Sequence, residues 1–448
     1  MIYRFLPNYL KKKISNSNEF SKIFSNIIWL IGDKGIALTI SLFVGVLLAR
    51  YLGPEKFGAY NYALAFVSIF SILSSLGLNG IVIKDLVNSS DKEPEIMGTS
   101  FTLRFIGSLI SIGLIILIVT LFNVSDLETL PLILLLSLSN IASAFSTINF
   151  YFESQVLSKY IVKAHLLSQL IYYILLLTLI FSNASLIFIA VAFVSQSMIN
   201  SILIIYMYLG QKQKIVAWRF NGNRAKSLLS RSWPLILSSF GAIIYLKIDQ
   251  IMLGQMTSNT EVGIYSVAVR FSEVWYFIPN LIVASYFPSL LKTREKNYQK
   301  YNLRLQRIYD LLMLGALSLS ICMTFVSSPL INLLYGQSYE NSAIILSIHI
   351  WASIFIFMRA LLSKWLIAED LYIFSFVTHT SGAIVNFILN LFLIPHFGGI
   401  GAAIATVISY AFASYVSLFF HNKTFVSGKM MTLALLSPIR YIKLIKFT

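Results

Sequence analysis

The sequence has little charge. Asp, Glu, Lys and Arg make up 12% of the 448 residues, whereas 57% are hydrophobic and the mean hydropathy is +0.78. A soluble domain carries about 25% charged residues, so this chain has about half the charge that is usual for a water-soluble globule. The composition therefore predicts an integral membrane protein.

The sequence also lacks the residues of most enzyme and metal sites. A single cysteine, Cys322, excludes an intramolecular disulfide and a cysteine-based metal cluster, and the five histidines form no metal-binding pair such as His-Glu-x-x-His. There is no Walker P-loop, no Gly-x-Ser-x-Gly and no Asp-x-Asp pair of the kind that metal-dependent glycosyltransferases use. These absences argue against an ATPase, a hydrolase or another enzyme.

Long apolar runs predict an all-α polytopic membrane protein. A helix needs about 20 apolar residues to cross a bilayer, and about twelve segments qualify. The first is too long for the core of a signal peptide and is followed by no small-residue cleavage site, so we expect it to be a span. The predicted spans lie near 24–49, 57–82, 98–122, 130–152, 160–181, 185–208, 230–253, 262–290, 305–326, 342–368, 372–394 and 399–421.

The basic residues test this map through the positive-inside rule. Of the 34 lysines and arginines, 28 fall in or near the two ends and the even-numbered connections, whereas the odd-numbered connections contain only Arg50 and Lys56. This asymmetry predicts that both termini lie in the cytoplasm. The formal charge of +16 then reflects topology, and nucleic acid is not an expected partner. The basic ends themselves favour either a helix on the inner leaflet or a disordered tail.

One pattern, G-x-Y-x-x-A-x-x-F, occurs twice. Residues 58–66 read GAYNYALAF and residues 263–271 read GIYSVAVRF, and each copy follows a span that ends in Leu-Gly. A chance match is the alternative, but the copies open the second and the eighth span, which predicts two six-helix lobes in a parallel repeat. The predicted domains are an N-terminal lobe with a basic arm and spans 1–6 (1–208), a cytoplasmic connection (209–229), a C-terminal lobe with spans 7–12 (230–421) and a basic cytoplasmic tail (422–448).

Polar stripes on some spans predict a cavity between such lobes, because charges within spans usually face a cavity or a partner. The eighth span aligns Arg270 and Glu273 at helical spacing, and the seventh contains Asp249 with Lys247 beside it. Two alternatives remain at this point. Stripes of small residues are typical of close helix packing, and Arg270 and Glu273, one turn apart, could neutralise each other.

Four stretches are distinctive: LARYLGPEKFGAYNYALAFVSIF (48–70), IDQIMLGQMTSNTEVGIYSVAVRF (248–271), LLYGQSYENSAIILSI (333–348) and FLIPHFGGIGAAIATVISY (392–410). Together they resemble the polysaccharide flippases of the O-antigen (Wzx) type, in the multidrug/oligosaccharidyl-lipid/polysaccharide exporter superfamily. The resemblance covers nearly the whole chain, and its motifs are more specific to fold than to substrate. It implies a MATE-like fold in the bacterial cytoplasmic (inner) membrane. It also implies transport of a polyprenyl (undecaprenyl) diphosphate-linked oligosaccharide to the outer leaflet by alternating access, for O-antigen or capsule biosynthesis.

The resemblance further implies a cationic cavity, since guanidinium and ammonium groups pair with diphosphate. By position, the candidate substrate residues are Arg270, Lys247, Lys34 and Arg359. A carboxylate beside a cation in a low-dielectric cavity suits a coupling H⁺ or Na⁺, and the candidates are Asp33, Asp249 and Glu273. The expected partners are the lipid-linked oligosaccharide and membrane lipids, with polysaccharide polymerase and chain-length machinery as further candidates. Apart from a coupling ion, no cofactor is expected.

Three other functions are alternatives to this flippase. A cation-coupled multidrug exporter would use the same lobes. A membrane glycan polymerase or glycosyltransferase would need a large extracytoplasmic loop, but the longest predicted outer connection is short, around 327–341. A peptidoglycan-precursor flippase is less favoured, because that branch has two further spans.

Overall fold

The structure is a computed structural model, and it describes residues 18–122 and 129–440. Within these ranges the regular elements are helices, with no strand. The basic arm up to residue 17 and the tail from residue 441 onwards lie outside the described residues. The side chains of two predicted site residues, Asp33 and Lys34, also lie outside them, although both residues belong to the first helix.

The α-helices of the described ranges are numbered here in chain order. They are α1 (Asn18–Ser75), α2 (Asn79–Asn88), α3 (Glu93–Phe122), α4 (Thr129–Ser137), α5 (Ser139–Ser143), α6 (Thr147–Ser154), α7 (Lys159–Phe181), α8 (Leu186–Gly210), α9 (Gly222–Met256), α10 (Asn259–Glu273), α11 (Phe277–Lys296), α12 (Tyr298–Tyr335), α13 (Asn341–His349), α14 (Ala352–Ala368), α15 (Tyr372–Ser414) and α16 (Asn422–Leu435).

Ten helical segments among the described residues are long and apolar enough to cross a membrane. Two of them are much longer than one crossing requires, because Ala37–Asn88 has 52 residues and Ile373–Phe420 has 48. At 1.5 Å per residue these segments measure roughly 70–80 Å, enough to cross a hydrocarbon core of about 30 Å twice. The ten segments therefore accommodate the twelve predicted crossings, and the all-helical polytopic fold is confirmed.

A glycine interrupts each of the two long segments. Gly53 has φ 69° and ψ 172°, and Gly398 has φ 52° and ψ −132°, a region that residues with a Cβ rarely adopt. At the second interruption the chain folds back on itself. A Cβ at Gly401 would lie 2.6 Å from the carbonyl carbon of Leu393, eight residues earlier, whereas a straight helix would separate these residues by about 12 Å.

The chain forms two compact units. The first contains the described residues up to Leu47 together with Phe66–Ser239, and its apolar core lies among α2, α3, α6, α7 and α8. The second contains Leu48–Ala65 together with the chain from Phe240 onwards, and its core lies among α11, α12, α14 and α16. The predicted lobe boundaries at 208 and 230 stay predictions.

In the first unit, the connection that leads into α9 packs on the start of α3. The backbone N–H of Arg219 donates to the carbonyl of Pro94 at 3.0 Å, and Nε of Arg224 lies 2.6 Å from Oε1 of Glu95. A Cβ at Gly98 would lie only 2.5 Å from the nitrogen of Arg219. The chain can approach α3 this closely because residue 98 has no side chain.

In the second unit, the beginning of the predicted tail is a folded helix, α16. It packs against α12, where Tyr309 Oη lies 2.8 Å from Ser427 Oγ and the amide of Gln306 donates to the carbonyl of Met430 at 3.0 Å. Buried apolar side chains of α16 contribute to the core of this unit. Residues 422–435 are thus part of the packed protein.

Candidate functional site

The four stretches that carry the family resemblance come together within the second unit. Each of the following hydrogen bonds joins two of them or their immediate neighbours: Arg50 Nη2 to the carbonyl of Leu333 (2.6 Å), Tyr339 Oη to the carbonyl of Ala49 (2.8 Å), Ser342 Oγ to the carbonyl of Ile264 (2.7 Å) and the backbone N–H of Gly399 to Oε2 of Glu261 (2.8 Å). These residues hold the helices together. The contacts give the distinctive stretches a structural role.

The two copies of the repeated pattern meet at their glycines. A Cβ at Gly58 would overlap the carbonyl oxygen of Asn259 and would lie 2.8 Å from the nitrogen of Gly263. A Cβ at Gly263 would overlap the carbonyl oxygen of Pro54. Helix backbones approach this closely only where the side chains are absent or very small. These two glycines are therefore helix-packing residues.

Asp249, near the end of α9, lies in a buried polar network and is 4% exposed. Its Oδ2 accepts hydrogen bonds from Tyr265 Oη at 2.6 Å and from Thr406 Oγ1 at 2.5 Å, and its Oδ1 accepts one from Asn390 Nδ2 at 2.6 Å. All three donors are neutral. No ion pair among the described residues involves Asp249, so hydrogen bonds alone stabilise its charge there.

The fold-back at Gly398 assembles this network. Asn386 and Asn390 lie on the part of α15 before the glycine, and Thr406 lies on the part after it, so the reversal brings both parts to the same carboxylate. None of these three residues was predicted from the sequence. The pair at 386 and 390 was the available signal, because two amides at (i, i+4) spacing inside an apolar span share one helix face. Tyr265 belongs to the repeated pattern but was not assigned a partner.

The network is rich in oxygen atoms and contains no sulfur or imidazole ligand. Besides the carboxylate and the hydroxyl groups, the buried Oδ1 of Asn390 has no hydrogen-bond partner among the described residues. Oxygen ligands suit a proton or a hard cation better than a transition metal. In the described part of the chain no group of three His, Cys, Asp or Glu side chains could hold a metal. These oxygen atoms could hold a proton or a hard cation, and the coupling ion stays a prediction.

Arg270 and Glu273 end α10, and both are half-buried. Neither side chain forms an ion pair or a hydrogen bond with another described residue, so they do not neutralise each other by direct contact there. Lys247, also half-buried, lies near enough that its charge acts on Glu273, as do the charges of Asp249 and Arg270. Four of the predicted site residues thus share one electrostatic environment.

Arg359 is buried and hydrogen-bonded. Its Nη1 donates to Thr378 Oγ1 at 2.8 Å and to the carbonyl of Ala413 at 3.0 Å, and its Nη2 donates to the carbonyl of Ser375 at 3.4 Å. All three acceptors lie on α15, whereas Arg359 lies on α14. Much of its hydrogen-bonding capacity is therefore used in joining these two helices.

These features define a class of protein, the polytopic α-helical membrane transporters. The fold resembles that of the lipid II flippase MurJ in an inward closed conformation, with a TM-score of 0.72 and 18% identity over 93% of each chain. At this identity the likeness concerns the fold alone.

The chain belongs to the family described as "Polysaccharide biosynthesis protein", which matches residues 23–294. It is 24% identical over 391 residues to the capsular polysaccharide biosynthesis protein CapF of Staphylococcus aureus, covering 85% of this chain and 94% of CapF. It is also 23% identical over 339 residues to a putative O-antigen transporter of Escherichia coli, covering 74% of this chain and 80% of that protein. The resemblance predicted from the sequence is confirmed, and the chain groups with transporters rather than enzymes.

Proposed function

We propose that this protein is a flippase for a polyprenyl (undecaprenyl) diphosphate-linked oligosaccharide repeat unit. It moves the unit from the cytoplasmic to the outer leaflet of the bacterial cytoplasmic membrane by alternating access, and the unit is used for O-antigen or capsule. Family membership and the fold of a lipid II flippase support this proposal. The observation that carries it is the charge of Arg270.

Arg270 lies within a membrane span, where an uncompensated charge costs several kcal/mol. It is half-buried and has no ion-pair partner among the described residues. A guanidinium binds phosphate oxygens through paired, charge-assisted hydrogen bonds. The equivalent position in the first copy of the repeated pattern is Ala65, so only one copy provides a cation. Arg270, assisted by Lys247, is the group proposed to bind the diphosphate.

Complementation of a deletion strain tests this proposal. Deletion is expected to accumulate lipid-linked repeat units on the cytoplasmic leaflet and to remove the surface polysaccharide. Wild type and the control Lys56→Ala, which removes an exposed cation outside the site, should restore the polysaccharide. Arg270→Ala should lower the flipping rate about tenfold or more, the effect of losing one charged hydrogen bond. Normal polysaccharide in the deletion strain would contradict the proposal, and efflux of small cations by the purified protein would favour the multidrug exporter.

We also propose that Asp249 binds the coupling H⁺ or Na⁺, with Asp33 and Glu273 as further candidates. A buried carboxylate held only by neutral donors can accept a proton or a small cation without breaking an ion pair. Asp249→Asn keeps the size of the side chain, and the two hydroxyl groups around it can reorient toward an amide. Flipping by this variant in proteoliposomes should no longer respond to a proton or sodium gradient. The control Glu340→Gln changes an exposed carboxylate and should respond as wild type does; an unchanged response in Asp249→Asn would exclude the site.

The excess of basic residues in alternate connections supports the proposed orientation, with both termini in the cytoplasm. Epitope tags at the two ends should resist protease in intact spheroplasts and become accessible after lysis.

Polysaccharide polymerase and chain-length machinery are proposed as partners because they would use the translocated unit. Co-purification of the polymerase or the chain-length machinery with both the wild type and the Arg270→Ala variant would support this partnership.

A further inference from the structure

A groove runs between the second half of α11 and the first half of α12, within the second unit. Its volume is about 420 Å³, and it is lined by Tyr286, Ser289, Leu290, Arg304, Arg307, Ile308 and Leu311. Ligand pockets range over about 300–1,000 Å³, so the groove is large enough for a lipid head group but small for several sugar rings. None of its lining residues belongs to the site around Asp249 and Arg270.

The groove lies where two membrane spans end. The candidate span Asn259–Phe287 stops beside it, and the next candidate span, Tyr298–Tyr335, begins beside it. Arg304 and Arg307 come just before the long apolar part of α12. We therefore expect the two guanidinium groups to lie at the depth of lipid head groups, and Tyr286 is an aromatic residue of the kind enriched at that interface.

The groove contains two positive charges, and neither has an acidic partner within residues 18–122 and 129–440. Arg304 is half-buried, and its Nη1 donates to Thr293 Oγ1 at 2.5 Å and to Ser289 Oγ at 3.3 Å, which are both neutral acceptors. Arg307 is exposed and forms no ion pair within the described residues. The two arginines are three residues apart and lie on one face of α12.

The nearest buried acidic side chain on the helix does not supply the missing charge. Asp310 accepts a hydrogen bond from Gln306 at 2.8 Å and lies 3.0 Å from Nη2 of Arg440. Asp310 thus pairs with Arg440 and with neither arginine of the groove. Meanwhile Leu311 and Tyr286 are about half exposed, at 50% and 51%, and leave an apolar surface open beside the charges.

We propose that this groove binds an anionic glycerophospholipid of the cytoplasmic leaflet. The phosphate is held by Arg304 and Arg307, which can each donate two hydrogen bonds to it. The acyl chain runs along Leu311 and the apolar surface of α12. A resident membrane lipid fits better than the transported substrate, because the groove is small and lies at the head-group level. The proposal rests on the proposed orientation, but not on flipping activity.

Native mass spectrometry of the full-length protein tests the proposal without an activity assay. Wild type in detergent should bind phosphatidylglycerol and prefer it to phosphatidylcholine. The double variant Arg304→Gln with Arg307→Gln should bind it about 30-fold more weakly, since each basic residue near a membrane surface contributes about fivefold and the two factors multiply. The double variant Lys292→Gln with Lys300→Gln removes the same charge from exposed positions outside the groove and should bind as wild type does.

A second variant and two competitors complete the test. Arg307→Glu reverses an exposed charge and should abolish the preference for phosphatidylglycerol even if substitution of Arg304 impairs folding. Equal binding by the wild type and the groove variants would overturn the proposal, as would equal affinity for phosphatidylcholine. Displacement by inorganic phosphate at similar concentration would indicate a soluble phosphate ligand instead. Displacement by undecaprenyl phosphate at a much lower concentration would indicate the lipid carrier; both outcomes would refute a phospholipid site.

Discussion

The contact between the two repeated glycines predicts the effect of one methyl group. In Gly58→Ala the new Cβ would lie 2.6 Å from the carbonyl carbon of Asn259 and 2.8 Å from the nitrogen of Gly263. Carbon atoms in contact are about 3.5–4.0 Å apart, and the carbonyl oxygen of Asn259 lies closer still to the new Cβ, so α1 and α10 must separate by more than about 1 Å. The obstructing atoms belong to helix backbone, which cannot change rotamer to make room.

The energetic cost follows from this geometry. Overpacking of a tight interior costs about 1–3 kcal/mol, and a clash with backbone belongs to the upper part of that range. About 2–3 kcal/mol changes an equilibrium by about 30- to 150-fold. We therefore expect Gly58→Ala to raise the population in which α1 and α10 are apart by that factor.

Cysteine labelling measures this population. The background is a protein with Cys322→Ser and with Ala65, which is 1% exposed, replaced by cysteine. This cysteine should react with a maleimide about 30- to 150-fold faster when Gly58→Ala is added than when residue 58 is glycine. Gly315→Ala is the matched control, because a Cβ there meets nothing within 4 Å. A cysteine at the buried Ala164 should stay protected, which separates local opening from unfolding. Unchanged labelling at position 65 would refute the reasoning.

Three further predictions concern stability. Asp249→Ala leaves three buried donors without their acceptor, at a cost of about 1–3 kcal/mol each before the hydroxyl groups reorient. Thermal unfolding in detergent should therefore show that Asp249→Ala lowers the free energy of unfolding by several kcal/mol, whereas Asp249→Asn does not. Gly98→Val should displace the connection at Arg219 from α3, at a cost of about 1–3 kcal/mol, and should increase its cleavage by trypsin relative to wild type. Arg294→Ala removes the bonds at 2.9 and 3.0 Å to Glu369 that raise the pKa of this guanidinium, but the pair is partly exposed and the loss should stay below about 1 kcal/mol in the same unfolding assay.

The candidate site could be predicted only in part. Asp249 was found because a lone carboxylate in an apolar span is unusual. The hydrogen-bond partners of Asp249 were not found, because Asn390 and Thr406 are 141 and 157 residues away and no local pattern connects them to Asp249. The alternative that Arg270 and Glu273 form a pair was also undecided, since one-turn spacing allows contact but does not require it.

Composition and the length of apolar runs were enough to predict a membrane protein of the all-helical class. These properties depend on apolar length, which can be read locally and added along the chain. The sequence also determined where the repeated pattern lies. Two contacts could be seen only in the folded molecule: Gly58 and Gly263 touch each other, and the reversal at Gly398 brings Thr406 to Asp249. Such contacts depend on how distant helices cross, and the distances between their backbones are a property of the packed molecule.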